Sequence, residues 1–489
     1  DVPTGHTRTA RRAKDLRRPR RAASQRGTHE ARRAKGWKIW FSAIVFGLVG
    51  QIAWVVENMY FATFAQDIYT NSGNRDMAYV VTTLMVIFSA ITATVTTIFA
   101  GGLCDKLGKR KVFVSYGYIA WGLTIMLFAA IPMRADSHTL GLLGFLLVLF
   151  DCIMTFAGST AYDAAFNTWT TDVTDDTNRG KVNTVLSVLP VFATVIVFIG
   201  LGSLYKPTNE SNWLFFIVLG IIPIVAGILA IFMMKDSTHI VKNQNPDFLK
   251  ETFYGFRKQV IKDNRMLYVC LATSCILGIS QQTFFSYLIN FVQNTLELGD
   301  NFVVPLAVVI IGAAVFTGVM GVLFDKLGRK HFYLPLLTVI VACTLIVYLM
   351  EFMPKAAWLP VLYVAGIFML GSILSLSAAL MASFQDYIPT GTEGRFQGVR
   401  MCFNVLLPMI IGPLITLIIG LSDVDTSAAG FTPPFKIFLA ASIVAVLAFL
   451  PLYFVRKDSD RLRLTLSEKR ENAAAKTAQS EETAEIAGE

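Results

Sequence analysis

Residues 101–111 read GGLCDKLGKRK, and 220 positions later residues 321–331 read GVLFDKLGRKH. Six of the eleven positions are identical, and the basic pair Lys109–Arg110 answers to Arg329–Lys330. Both phrases interrupt a strongly apolar chain. Of 489 residues, 54% are hydrophobic and only 16% charged, a balance unlike that of soluble domains. The apolar residues collect in runs such as VFVSYGYIAWGLTIMLFAAIPM (112–133) and WLFFIVLGIIPIVAGILAIFMM (213–234). Each run is long enough to cross a bilayer as a helix. The doubled phrase is thus a repeated loop in a polytopic, all-α membrane protein.

Working outward from the two loops, hydropathy places twelve spans at 39–65, 77–100, 112–133, 140–167, 182–204, 213–234, 266–292, 302–323, 332–353, 358–384, 399–421 and 435–455. All but five of the 43 lysines and arginines then fall on the side that holds both termini. The exceptions are Arg75, Arg134, Lys206, Lys355 and Lys436. Basic residues stay on the cytoplasmic side, so an N-in/C-in, multi-pass protein of the cell membrane is expected, in a bacterium the cytoplasmic membrane. The net charge of +9 therefore reports topology, not a nucleic-acid partner. The tail stretch RRAKDLRRPRRAASQR (11–26) is read as contacting anionic membrane lipid.

The organisation expected is a basic, disordered cytoplasmic tail (1–38), a six-helix bundle (39–234), a cytoplasmic linker (235–265), a second six-helix bundle (266–455) and a polar tail (456–489). Within the linker, PDFLKETFYGFRKQVIK (246–262) gathers Phe248, Leu249, Phe253, Phe256, Val260 and Ile261 near one helical face, a pattern for a helix on the inner leaflet. Each copy of the doubled phrase follows the second span of its half. A weaker echo, TTDVTDDTNRGKVN (170–183) against FQDYIPTGTEGRFQG (384–398), follows spans four and ten. Two six-span halves related by a repeat form an architecture for transport, with a solute site at the midplane between them.

An ionisable side chain inside a span costs about 2.5–3.5 kcal/mol to insert, so each one needs a reason. Three acids qualify: Glu57, Asp151 and Asp163. Ser159, Asp163 and Asn167 recur every fourth residue and form one polar stripe, with Thr160 beside it. Asp151 lies about 120° round the same helix and points elsewhere, which favours a structural role. On span one, Gln51 and Asn58 share a face with Trp54, and Glu57 is about 100° away, a gate, a structural pair or a proton site. On span seven, QQTFFSYLINFVQN (281–294) lines up Gln282, Ser286 and Asn290, with Tyr287 close by. Amides, hydroxyls and an aromatic surface suit a sugar, whose hydroxyls need partners and whose C–H faces stack. The same residues can also serve to join helices. The six cysteines have no metal-ligand spacing, so no metal site and no cofactor are expected.

The doubled phrase resembles the loop motif of the major facilitator superfamily, Gly-x3-Asp-basic-x-Gly-basic-basic. Gly101, Asp105, Lys106, Gly108, Lys109 and Arg110 match it, and so do Gly321, Asp325, Lys326, Gly328, Arg329 and Lys330. The resemblance implies twelve helices in two bundles over about 36–456 and a gating role for the motif, carried chiefly by Asp105 with Asp325 and Arg329 in the second copy. A narrower resemblance lies in YDAAFNTWTTDVTDDTNR (162–179). It is similar to the span-four segment of glycoside–pentoside–hexuronide:cation symporters, the melibiose-permease group, through Asp163, Phe166, Asp172, Thr174, Asp176 and Arg179. That likeness implies that Asp163 binds sugar hydroxyls. The chain departs from the group at SAITAT (89–94), where Ser89 and Ala93 stand in place of two cation-binding acids. Gln51 stands in place of a sugar-binding acid, and VLLPMIIGP (405–413) lacks the group's lysine.

The expected function is therefore secondary active transport of a small polar solute, a sugar or glycoside, by symport with a proton or sodium ion. The substrate-binding candidates are Asp163, Asn167, Gln51, Asn58, Gln282, Tyr287 and Asn290. Glu57 and Asp163 are the coupling candidates. The partners are a small-molecule substrate, the coupling cation and membrane lipid, and the chain is expected to act as a monomer. Transport of a drug, lipid or organic anion, or nutrient sensing, is the alternative. No Gly-x4-Gly-Lys-(Ser/Thr) loop offers a site for ATP, and SVLPVFATVIVFIGLG (187–202) lacks the Gly-Pro motif of drug antiporters. An enzyme would need converging acids, and the only acidic patch, Asp172, Asp175 and Asp176, belongs to the loop pattern already described.

Overall fold

The computed structural model describes residues 37–173, 179–207, 211–236, 254–388, 396–423 and 430–458. Residues 1–36 and 459–489 of the tails, residues 246–253 of the linker stretch and the acids at 175 and 176 lie outside them. Among the described residues, eleven helical stretches are long and apolar enough to span a membrane. They are α1 (Trp37–Asn71), α2 (Arg75–Cys104), α3 (Arg110–Ala130), α4 (Ser137–Thr170), α6 (Trp213–Met233), α7 (Arg265–Phe285), α8 (Val303–Phe324), α9 (Tyr333–Phe352), α10 (Lys355–Tyr387), α11 (Gly398–Ser422) and α12 (Lys436–Asp458). Between α4 and α6 runs α5, Arg179–Ile196, continued by a π-turn over Val197–Leu201.

The large apolar side chains on the outside of the bundle point outward, among them Phe99, Phe145, Phe156, Phe232, Val315 and Ile418. An apolar surface of this extent suits lipid, not water. Inside, the halves repeat one packing plan. In the first, α1 packs on α5, α2 on α4, and α3 on α4 and α6; in the second, α7 packs on α11, α8 on α10, and α9 on α10 and α12. The halves meet where α2 runs beside α11 and α5 beside α8, which are equivalent pairs under the repeat. The end carrying GGLCDKLGKRK is called the motif end below, and the opposite one the far end.

Several boundaries differ from those expected, span seven among them, since α7 ends at Phe285 and not at 292. Two further differences bear on the site. Span one does not stop at residue 65: α1 continues to Asn71, because Gln66 and Asp67 find buried partners there and need not mark a loop. From Tyr254 the linker forms a 3-10 turn (Tyr254–Phe256) and a short helix (Lys258–Asp263), broken at Arg257, which has extended backbone. Gly255 is seated against Val399 at the start of α11.

Candidate functional site

The predicted residues separate into three groups. The first lies between α1 and α4 and faces α11. Gln51 donates from Nε2 to the Tyr162 hydroxyl at 2.7 Å. Next to Tyr162, Asp163 is half-buried, and one turn on Asn167 is exposed, its amide donating to the Asp163 carbonyl at 3.4 Å. Trp54, one turn above Gln51, packs its ring 5.4 Å from that of Trp121. Opposite Asp163 stands Arg400 of α11, the cation in electrostatic contact with it. A carboxylate and a guanidinium from different halves thus interact beside an amide and a phenol. This segment of α4, Ser159–Phe166, is a π-helix, a local widening frequent at functional sites.

The second group lies deeper in the first half. Glu57 begins another π-turn, Glu57–Phe61. Its Oε1 lies within hydrogen-bond distance of Ser89 Oγ and of Thr155 Oγ1, 2.8 Å from each. Those two hydroxyls are themselves 2.9 Å apart. Glu57 Oε2 is buried with no partner. Asp151, 3% exposed, lies in electrostatic contact with it. Both acids line a cavity of about 20 Å³, together with Asn58, Ser89 and, from the second half, Met409. Asn58 donates to the Trp54 carbonyl at 2.8 Å.

The third group closes the far end. Asn290 donates to Gln66 Oε1 at 2.8 Å and to Asp67 Oδ1 at 3.4 Å, and Gln66 donates to the Ser286 carbonyl at 3.1 Å. Tyr205 donates to Asp67 Oδ2 at 2.7 Å. Tyr287 is fully buried, its ring 5.7 Å from that of Tyr79 and 6.2 Å from Phe431. Tyr287 and Asn290 thus sit in a seam between halves, apart from Asp163. Gln282 is half-buried where α7 meets Gly412 of α11, and joins none of the three groups.

The family model described as Major Facilitator Superfamily matches residues 39–413. The chain belongs to the Major Facilitator Superfamily. It is accordingly a secondary transporter of a small molecule, a multi-pass membrane protein and not an enzyme. Solved structures of superfamily type share its fold at low identity. The xylose transporter XylE from E. coli, in a partially occluded inward-open conformation, is 12% identical with a TM-score of 0.63, over 86% of this chain and 98% of that one. A D-xylose–proton symporter is 13% identical with a TM-score of 0.64, over 84% and 97%. A mutant of the nucleoside transporter NupG is 12% identical with a TM-score of 0.63, over 85% and 99%. No curated protein matches the chain by sequence.

In this superfamily member the motif end explains the doubled phrase together with its weaker echo. Arg110 Nε reaches Asp172 Oδ2 at 3.1 Å, and Arg329 pairs with Asp386. Asp172 and Asp386 hold the same place in the two echo sequences, so each half ties its loop to the end of its own α4 or α10. The backbone of Lys111 adds a bond to Asp236 at 2.7 Å. Lys106 and Lys109 are exposed, and a side chain at Gly101 would meet open space. The side chains of Asp105 and Asp325 lie outside the described residues.

Sequence reasoning did not single out Arg400, Asp67, Gln66, Tyr162, Ser89 or Thr155 as members of these groups. Arg400 lies at a span boundary, where an arginine reads like the loop cations that set topology. Ser89 is legible only as the replacement of a cation-binding acid, and Thr155 is an ordinary helix residue until Glu57 is placed against both.

Proposed function

We propose that the chain moves a small polar solute, a sugar or glycoside, by alternating access with cation symport, in the manner of the glycoside–pentoside–hexuronide:cation group. The polar wall of Gln51, Tyr162, Asp163 and Asn167, with Trp54 alongside and Arg400 opposite, carries this reading. Amide, carboxylate and guanidinium pair with hydroxyls, and the indole covers a C–H face. In this reading Asn58, Gln282, Tyr287 and Asn290, which lie outside this wall in the described conformation, join it when the halves move. The xylose transporters and the nucleoside transporter among the similar structures carry hydroxyl-rich solutes, which adds support. With both termini cytoplasmic, the motif end faces the cytoplasm, and the halves 39–234 and 266–455 rock about the site. Glu57 and Asp163 are the candidate coupling acids.

Arg400 favours one second reading, an anionic solute such as a uronic acid, whose carboxylate matches the guanidinium fork. The test is uptake of radiolabelled hexoses, glycosides and uronic acids into vesicles holding the full chain, under imposed proton or sodium gradients. Accumulation of a neutral sugar, lost in Asp163→Asn, is the expected result. Undiminished accumulation by Asp163→Asn would remove the site, and movement of uronic acids alone would select the second reading.

A further inference from the structure

Glu57, Ser89 and Thr155 form a triangle of oxygens with edges of 2.8, 2.8 and 2.9 Å. Three contacts at hydrogen-bond distance need three protons. The two hydroxyls supply one each. If Glu57 were a carboxylate, both would be directed at Oε1, and the hydroxyl oxygens would face each other lone pair to lone pair. A protonated Glu57 closes the ring: Oε1–H donates to one hydroxyl, that hydroxyl to the next, and the next back to Oε1. The unpartnered Oε2 fits the same picture, since an unsatisfied oxygen costs less on a neutral acid than on a charged one.

From this geometry we infer that the Glu57–Ser89–Thr155 triangle, with Asp151 on the same small cavity, is the binding site of the coupling proton. The inference rests on the proposed symport and names its ion and its residues. The oxygens are already in hydrogen-bond contact, which leaves no gap for a metal ion between them. The cavity, about 20 Å³, has room for about one water molecule, enough to carry a proton in and out. Met409 of α11 is the second half's contribution to its wall. Rocking the halves moves Met409 and so changes which side reaches the cavity. Proton balance is simple: one proton enters from water, neutralises Glu57, and returns to water on the other side.

The charged and titratable groups facing Glu57 are Asp151, Asp163 and Cys152, all on α4. Its neighbour on α2 is Ser89 and on α11 Met409, neither of them titratable. Arg400 acts on this site through Asp163. A solute that draws Arg400 away from Asp163 leaves more negative charge near Glu57 and holds the proton more firmly, which links loading of the two.

Infrared spectroscopy of the full chain in lipid tests the site without any solute. Wild type minus Glu57→Gln at neutral pH is expected to show a carboxylic-acid C=O band that shifts in D2O and is indifferent to sodium chloride. Thr155→Val, which keeps the acid but removes one partner, is expected to move that band. It also serves if Glu57→Gln fails to fold. With a solute from the uptake panel, Glu57→Gln is expected to lower proton-driven accumulation at least tenfold more than it lowers solute exchange. Absence of the band from the difference spectrum, or a band that changes on adding sodium, overturns the proton site. A band present in a chain that moves none of the panel's solutes keeps the proton site and removes the sugar reading instead.

Discussion

Asp163 and Arg400 show what one residue pair contributes when it spans the two halves. Arg400 is the cation that interacts with Asp163, and both are half-buried, a setting where a charge without its partner is costly. Asp163→Asn is therefore expected to lower the melting temperature of the purified protein, and so is Arg400→Gln. The double variant should recover part of the loss, with a coupling energy of about 1–3 kcal/mol by double-mutant cycle. Additive losses would show that the two do not interact. Half of this pair was legible in the sequence: the four-residue spacing of Ser159, Asp163 and Asn167 marked a polar stripe on a helix that otherwise avoids charge. Arg400 was not, because an arginine at the edge of a span looks like the loop cations that set topology. Asp151 was legible in direction alone. Its phase on α4 turned it away from Asp163, but only the packing of α1 on α4 shows that it turns toward Glu57. The π-turn at Glu57 is invisible in sequence and shifts the helical phase on which such arguments rest.

At the scale of elements, the doubled phrase was the clearest signal, because a loop that must stop one helix and start another constrains its residues tightly. Gly108 ends the helix of α2, which continues to Leu107, with φ 65° and ψ 26°, the left-handed cap that favours glycine. Gly328 stands at the matching place after Leu327 but with φ 84° and ψ 137°, outside that region. Any residue with a Cβ is strained at both. Gly108→Ala is expected to cost about 1–2 kcal/mol, and Gly108→Asn less, since asparagine tolerates this conformation. Gly328→Ala is expected to cost more, toward about 3 kcal/mol, because asparagine and alanine are both excluded there. Thermal unfolding of the three variants checks the order, and a Gly328→Ala protein as stable as Gly108→Asn would contradict it. The repeat predicted that the two loops do the same work, and the pairs Arg110–Asp172 and Arg329–Asp386 agree. It did not predict their one-residue offset: Arg329 aligns with Lys109, not Arg110, and the different backbone at the two glycines accompanies that shift.

At the scale of the whole molecule, the far end is sealed by contacts between halves that cannot persist in both conformations of a rocking transporter. Each hydrogen bond of Asn290 and Gln66 contributes about 1 kcal/mol net, so several together are needed to hold one state. Sequence could not place this seam, because it depends on which face of α7 meets α1, and residues 66 and 67 fell beyond the expected end of span one. Gly420 offers the sharpest test of its role. A Cβ there would lie 2.3–2.6 Å from the ring of Tyr79, on the other half. Tyr79 has little room to retreat, since its ring is 4.7 Å from Phe431 and 5.7 Å from Tyr287. Gly420→Val therefore penalises the sealed state and spares the state in which α2 and α11 separate. An overpacking cost of about 1–3 kcal/mol shifts the balance between states by roughly 5- to 150-fold. The readout is labelling of Ser286→Cys by a membrane-impermeant maleimide from the far side, against a background chain without that cysteine. Ser286 is 3% exposed in the sealed state, so the labelling rate is expected to rise at least fivefold with Gly420→Val. Gly412→Val is the contrast, since its Cβ strikes Gln282 within the second half. That clash is present in either conformation, so it should lower the melting temperature without raising labelling. Equal labelling in the two glycine variants would mean that the seam does not open as a unit.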